Sequence, residues 1–392
     1  MKSEISRKIF SYNCKLFPLT PIQVGSGNEL SPYDYVIKNK KYYRIDINDV
    51  IEKFPENRRD KLLKLLESNN MIQIRAFLNE SYEQEYGYIY MIDVDSEFMN
   101  MYHKKLSGAI KSNEENELSI TEFIGNSIGK FIPGSTIKGA IRSAFLASKF
   151  SSSEYYILDR NKNNKTKPFI LMDRNNQMLR DKEAKREADR REARMLGLTR
   201  LEPKFDPFKQ VIITDTACDG VNFIVTKMSR VSKKAPMPMG ACEVSKSKLG
   251  RDKDFSLDFK VVLKNLDIPF YICDKLSAKE SRDGTPIVNN LVKVLMKSII
   301  ESLNEKAKRM IKSDKLAFRA FANREGENAC EQLEKEMEKL QENEAMIRIG
   351  KGAGFNSTTF NQFNKKEESV GSRVMVNKLP VGWAKIVFEE EK

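Results

Sequence analysis

The sequence predicts a mixed α+β chain. Apolar residues alternate at period two at Phe10, Tyr12, Cys14 and Leu16, and again at Phe255, Leu257 and Phe259, as half-buried strands require. Ile287, Leu291, Leu295, Ile299 and Leu303 instead recur every four residues, which lines one face of a helix. The first strand ends at Pro18. LTPIQVGSGNELSPYDYVI then turns tightly at Gly25-Ser26-Gly27, and VIKNKKYYRI reads as a hairpin turning near Asn39-Lys40. Two short helices follow: DVIEKF, capped by Asp46 or Asn48, and RDKLLKLLES, whose leucines at 62, 63, 65 and 66 stop at Asn69-Asn70. YGYIYMI, residues 86 to 92, returns to strand.

Pro133-Gly134 breaks a short strand and predicts a helix with Ser135 as N-cap and Ile137, Ile141, Ala144 and Phe145 on one face. Residues 151 to 200 read as an insertion. Its helix RDKEAKREADRREARML has only Ala184, Ala188 and Met195 as an apolar stripe, and Asp181 with Lys185 and Glu187 with Arg191 support it at i,i+4. That helix fits a salt-bridged surface element as well as an RNA-contacting one. From about 205 the strands KQVIITDTA, NFIVTKMS and FSLDFKVVL open a second, β-rich domain, and the helical stripe comes after Pro286. Residues 325 to 345 carry eight Glu against two Lys, with Leu333, Met337 and Leu340 on one side, so this helix is expected to face solvent or a basic neighbour. VMVNKLPVGWAKIVF closes the chain as strand, Pro-Gly turn and strand.

Composition narrows the function. One histidine in 392 residues excludes His pairs, multi-His metal sites and acid–base relays of several imidazoles. The cysteines Cys14, Cys218, Cys242, Cys273 and Cys330 form no CxxC, and their odd number fits a reducing cytosol. With no apolar run of 18 residues and no apolar leader, neither export nor a membrane span is predicted, and the expected location is cytoplasmic. Lys and Arg number 68 against 55 Asp and Glu, and residues 130 to 200 alone hold 17 against 8. So local an excess points to a polyanion, nucleic acid first, although surplus lysine also serves solubility.

Two motifs carry chemistry. In KFIPGSTIKGAIRSAFLASKF, Gly134 and Ser135 start a helix whose free N–H groups suit an anion, while Lys138 and Arg142, four apart, and Lys149 add charge along one side. In RIGKGAGFNSTTF, Gly350, Gly352 and Gly354 surround Lys351 and are flanked by Arg348 and Phe355. The spacing fits neither a P-loop nor a dinucleotide fingerprint, and leaves a backbone segment able to approach a ligand closely, or simply a glycine-rich turn. His103 lacks a partner in its neighbourhood and reads as a surface or packing residue. Asp215 and Asp219 sit near each other in TDTACDG, a spacing too common to mark a metal site.

Taken in order, LTPIQVGSGNELSPYDYVI, FIPGSTIKGAIRSAF, DPFKQVIITDT, RIGKGAGFNSTTF and LPVGWAKI resemble the RAMP (repeat-associated mysterious protein) superfamily, and within it the fifth subunit of the type III-A CRISPR Csm effector complex. The resemblance covers most of the chain but finds no motif at 151 to 200 or 287 to 345. It implies tandem ferredoxin-like, RRM-like domains with helical insertions, divided as 1–200 and 201–392. It further implies a non-catalytic, cofactor-free subunit that caps the 3′ side of the complex, binds crRNA, stacks on the repeated backbone subunit and supports crRNA maturation through host nucleases. By motif position Gly134, Ser135, Lys138, Arg142, Gly350, Lys351, Gly352 and Gly354 are expected at crRNA phosphates. Gln23 stands in IQVGSG where related sequences often carry a His, which favours binding over catalysis. The competing readings are a metal-independent RAMP endoribonuclease using His103 or a Tyr/Lys pair, and a general RNA-binding module outside CRISPR. The RRM signature octapeptide is absent, so loops and backbone are expected to hold the RNA.

Overall fold

A computed structural model of the chain describes residues 9–68, 70–106, 118–149, 202–232, 236–252, 254–264, 288–353 and 373–391, with short pieces between 156 and 199. The period-two pattern of the first strand is realised in β1 (Ile9–Pro18), which buries Tyr12, Cys14 and Leu16 and exposes Asn13 and Lys15. After β2 (Gly25–Leu30), the hairpin β3 (Tyr35–Lys38) and β4 (Lys41–Arg44) turns through Asn39 and Lys40, both left-handed at φ 53° and 60°. Asp46 caps α1 (Ile47–Lys53) by accepting from the Asn48 N–H at 2.9 Å. In α2 (Glu56–Glu67) Leu62 is buried and Leu63 exposed. That helix ends at Glu67 with Ser68 as its C-cap, and Asn70 caps a third one, α3 (Met71–Ser81), through the Gln73 N–H.

β5 (Tyr90–Val94), α4 (Ser96–Leu106) and β6 (Ile120–Phe123) lead to α5 (Gly134–Lys149). A small hairpin, β7 (Tyr156–Leu158) with β8 (Thr166–Pro168), precedes β9 (Val211–Ile213), β10 (Phe223–Arg230), β11 (Met237–Ser245) and β12 (Leu257–Lys264). The long α6 (Val288–Ala320) and α7 (Arg324–Glu338) follow, then β13 (Glu344–Arg348), β14 (Val374–Val376), β15 (Leu379–Pro380) and β16 (Trp383–Glu390).

Five strands form an antiparallel sheet in the order β13-β16-β1-β12-β9. With α5 linking β1 to β9 and α6 linking β12 towards β16, it is a ferredoxin-like βαββαβ unit extended by β13. The larger sheet runs β2-β6-β11-β10-β5-β4-β3, with β14 on β10 and β15 on β14, and contains the parallel pairs β10–β5 and β11–β6. The fold is thus α+β, in the tandem ferredoxin-like arrangement with helical insertions. Both sheets draw strands from either side of residue 200.

The main core joins the one buried face of the smaller sheet, with Leu16, Phe259 and Phe388, to Phe145 of α5 and Ile299 of α6, and is continuous with Tyr35, Tyr42 and Phe223 of the larger sheet. A second cluster seats α6 and α7 on Trp383, and a third closes α1–α3 over the β3–β4 hairpin. The acidic α7 needs no basic neighbour from outside. It buries Ala329, Cys330 and Leu333, and its carboxylates meet the chain's own cations: Glu336 with Lys248 at 2.9 Å, Glu334 with Lys315 at 2.7 Å, Glu325 with Lys378 at 2.6 Å, and Glu327 with Arg319. Among the described residues no helix is long and apolar enough to cross a membrane. The predicted pairs Asp181–Lys185 and Glu187–Arg191, Gly354, Phe355 and the Lys149 side chain lie outside the described residues.

Candidate nucleic-acid interface

Helix α5 starts two residues earlier than its sequence suggests, and for a packing reason. A Cβ on Gly134 would lie 2.1 Å from the Ile213 carbonyl oxygen and 2.7 Å from that of Thr214, so only glycine lets the helix begin against the end of β9. The Pro133 carbonyl accepts from the Thr136 N–H at 2.9 Å, and the Gly134 N–H donates to Asp215 Oδ1 at 2.8 Å. Ser135, expected as N-cap, is therefore an exposed residue of the first turn, because the Asp215 carboxylate, two residues beyond β9, caps the helix. Asp219 has a separate role, accepting from the Val221 and Asn222 N–H groups.

The cations of this helix are not equivalent. Lys138 is half-buried and in no salt bridge with a described residue. Partial burial lowers its pKa from the ordinary lysine value, with Asp206 opposing and Arg142 adding to the shift. Arg142, expected on an exposed face beside it, is committed elsewhere: Nη1 lies 2.6 Å from Glu192, Nε lies 2.9 Å from Asp206, and the guanidinium stands over Phe208. Burial works against its charge, but the two carboxylates outweigh it and hold its pKa above the ordinary value. Lys130, also in the basic segment, is buried against Glu243 at 2.7 Å and over the Tyr90 ring at 3.7 Å. Much of the described basicity is thus neutralised inside the fold.

The second motif follows β13. Gly350 and Gly352 take φ of 75° and 81°, and a Cβ on Gly350 would lie 2.2 Å from the Gln23 carbonyl oxygen. That same oxygen accepts from the Lys351 N–H at 2.7 Å, which ties the turn to the segment after β1. Lys351 is half-buried and in no salt bridge with a described residue; it lies near Cys242, whose thiol burial pushes up to about 12 while Lys351 pulls it down. Arg348 turns inward. Its Nη1 is 2.5 Å from Asp314, its Nε donates to the Val381 carbonyl, and it stacks over Trp383.

Segment 21–25 is the wall that joins the two motifs. Lys351 bonds to Gln23, the Ile124 N–H to the Val24 carbonyl at 2.9 Å, the Phe131 N–H to the Ile124 carbonyl at 3.4 Å, and Ile132 exchanges hydrogen bonds with Thr216 beside the α5 cap. A hydrogen-bonded path thus runs from the Gly350–Gly352 turn through residues 23–24, 124 and 131–132 to the segment that enters α5, whereas Arg142 faces Glu192 and Asp206. Gln23 is itself 1% exposed, and its Nε2 has no hydrogen-bond partner among the described residues.

Sequence reasoning expected the apolar stripe of α6 but missed the polar residues with which this helix braces both limbs. On α6, Ser302 donates to Ser148 and Lys306 to Ser143, both at 2.8 Å and both on α5; Asn304 bonds both the Glu344 carbonyl and the Met346 N–H of β13. The signal was present as polar residues at 298, 302, 306, 313 and 314 between apolar positions; all five are buried. His103 is exposed on the last turn of α4, edge-on to Tyr102. Among the described residues no three His, Cys, Asp or Glu side chains are grouped to hold a metal ion.

A βαββαβ sheet, a helix begun at a buried glycine and a glycine turn set against the segment after the first strand agree with the family comparison: the chain belongs to the RAMP superfamily, whose family model matches residues 16–357. It is similar to "CRISPR system Cms protein Csm5" of Streptococcus thermophilus, 27% identical over 143 residues, covering 35% of this chain and 38% of that protein. The protein of the same name from Methanocaldococcus jannaschii is 27% identical over 146 residues, 36% of this chain and 31% of its own length. The matched region thus spans well under half of either relative. Among solved structures, a chain of the cryo-EM Csm-crRNA-target RNA ternary complex of a type III-A CRISPR-Cas system has a TM-score of 0.61 at 18% identity, covering 96% of this chain and all of that one. The crystal structure of T. onnurineus Csm5 gives 0.62 at 19% identity, with 95% and 99% covered. Both share the fold.

Proposed function

We propose that this chain is a non-catalytic, crRNA-binding subunit of a cytoplasmic type III-A CRISPR ribonucleoprotein, capping the 3′ side of the complex against its repeated backbone subunit and supporting crRNA maturation, with host nucleases doing the cutting. The observation that carries the RNA reading is the wall at 21–25, from which a hydrogen-bonded path leads on one side to a left-handed glycine turn and on the other, through residues 124 and 131–132, to the segment that enters α5. Among the described residues, Lys351 and Lys138 remain without salt bridges there while neighbouring cations are spent. Gly350 and Gly352 allow the left-handed turn that carries Lys351, Ser135 offers a hydroxyl, and the two lysines supply charge without reading bases. Gly134 and Arg142 act by holding α5 to β9 and to the 192–206 segment. The RAMP fold and the similarity to Csm5 proteins support the placement in such a complex.

Titrating the purified chain with end-labelled crRNA precursor across a salt series, with and without EDTA, tests this reading. Binding should fall steeply with salt and leave the RNA intact. Lys138→Gln combined with Lys351→Gln should weaken binding about tenfold or more and flatten the salt slope by about 2, one per lost phosphate contact. Arg142→Met should instead lower stability by about 2 kcal/mol and leave the slope alone. An unchanged slope in the double lysine variant removes this interface. Cleavage that survives EDTA and disappears in His103→Ala would replace the binding role with an endoribonuclease.

A further inference from the structure

The roots of the glycine-rich loop converge on one side chain. Arg348 ends β13, immediately before the turn, and Arg373 precedes β14, where the described chain resumes. Asp314 of α6 receives both: Oδ2 lies 2.5 Å from Arg348 Nη1, and Oδ1 lies 3.1 Å from Arg373 Nε. Arg373 Nη2 also reaches the hydroxyl of Ser313 at 3.1 Å, and Arg348 Nε holds the Val381 carbonyl at 3.1 Å. Asp314, Arg348 and Arg373 are 4%, 7% and 5% exposed, so water does little to screen the cluster. Asp314 stands eight residues beyond Lys306, about 12 Å along α6, so one rigid helix grips α5 at one point and both roots of the loop at the other.

We propose that Asp314 is a positioning residue for RNA binding: by clasping Arg348 and Arg373 it holds the end of β13 to the residue before β14 and so sets where Gly350, Lys351 and Gly352 stand relative to α5. This rests on the RNA reading of the turn given above. The clasp acts through Lys351, without touching RNA. Its consequence runs against simple charge counting, because Asp314→Asn removes a negative charge and by electrostatics alone would tighten RNA binding, whereas a misplaced Lys351 weakens it.

The test is a double-mutant cycle on the full chain, read as affinity for single-stranded RNA over a salt series, with thermal unfolding measured on each variant. Asp314→Asn should weaken binding by about the factor that Lys351→Gln alone gives and should lower the salt slope by about 1. The double variant should be no weaker than either single one, since both remove the same contact. Arg373→Gln, which cuts one arm of the clasp and leaves the Arg348–Asp314 pair, should show the same effect at smaller size and serves if Asp314→Asn does not fold. Affinity and slope that match wild type, or tighter binding, in folded Asp314→Asn or Arg373→Gln would overturn the clasp, as would a lowered melting temperature with an unchanged slope. If Lys351→Gln itself leaves RNA binding untouched, the RNA reading of the turn fails first and the clasp falls with it.

Discussion

Two glycine-and-lysine motifs look alike in the sequence and do different physical work. At Gly134 the backbone angles are ordinary and the space is the constraint, because a carbonyl oxygen of β9's last residue sits where a side chain would go. At Gly350 and Gly352 the angles themselves are left-handed, and the Gln23 carbonyl closes off the remaining room at Gly350. The charges differ in parallel. Arg142 is consumed by Glu192 and Asp206, while Lys351 has no such partner among the described residues. In both places the glycine thus marks close approach to the protein's own backbone, and what separates the two motifs is whether the neighbouring cation is paired among the described residues.

The contrast can be broken most sharply at Gly134. Gly134→Ala should cost about 3 kcal/mol or more, because the new methyl meets main chain that cannot move without parting α5 from β9, and chemical denaturation would show it. A loss under about 1 kcal/mol would mean that the helix start is not the packing joint described.

A smaller effect is expected at the joint between α5 and α6. Burial, with Arg309 adding to it, lowers the Lys306 ammonium from the ordinary 10.5 to about 7. Between those values the unfolded chain binds a proton that the folded chain does not, so stability rises with pH from about 7 to 10.5 and is lowest below 7, where the buried amine is charged. Lys306→Met should then stabilise the chain by about 1–3 kcal/mol at pH 6, and the gain should shrink towards pH 10.5. Thermal melts at the two pH values check it; an equal gain at both would assign the effect to packing.

The smallest change sharpens the comparison from the other side. Gly139 lies in α5, one turn beyond Gly134, with nothing within 4 Å of the place an added methyl would take and no left-handed angle. Gly139→Ala should stabilise the chain by about 0.5–1 kcal/mol, the intrinsic helix preference of alanine. Loss of stability there would show that the exposed face of α5 is not open.

What could be read beforehand was local. β1 shows its period, and the Asn39-Lys40 turn its chemistry, within a few residues, and both stand where expected. α3 is hidden because Asn70, expected to end one helix, caps the next, and β11 because Pro236, Pro238 and Gly240 interrupt its alternation. In the site, Gly134 and Lys351 could be picked out as residues, but not their surroundings. Asp215, Glu192 and Asp206 arrive from 50 to 81 positions away, and Asp314 sits 34 residues from one of its arginines and 59 from the other. Partners at such separations are fixed by tertiary packing and leave no periodic trace.

The way the chain travels between its two sheets bears on its birth as well as its shape. It leaves the smaller sheet after β1, returns for β9, leaves again for β10 and β11, returns for β12 and β13, and leaves once more for β14 and β15 before β16 closes beside β1, with Tyr12 opposite Glu390. On the ribosome, β1 must therefore wait for nearly the whole chain to emerge before one of its two edges is covered. Such delay makes assembly slow and exposes an unpaired apolar strand to its neighbours in the meantime. Loss of the C-terminal strand β16 leaves β1 half-paired, and loss of β1 parts β12 from β16, so this sheet ties the two ends of the described chain together.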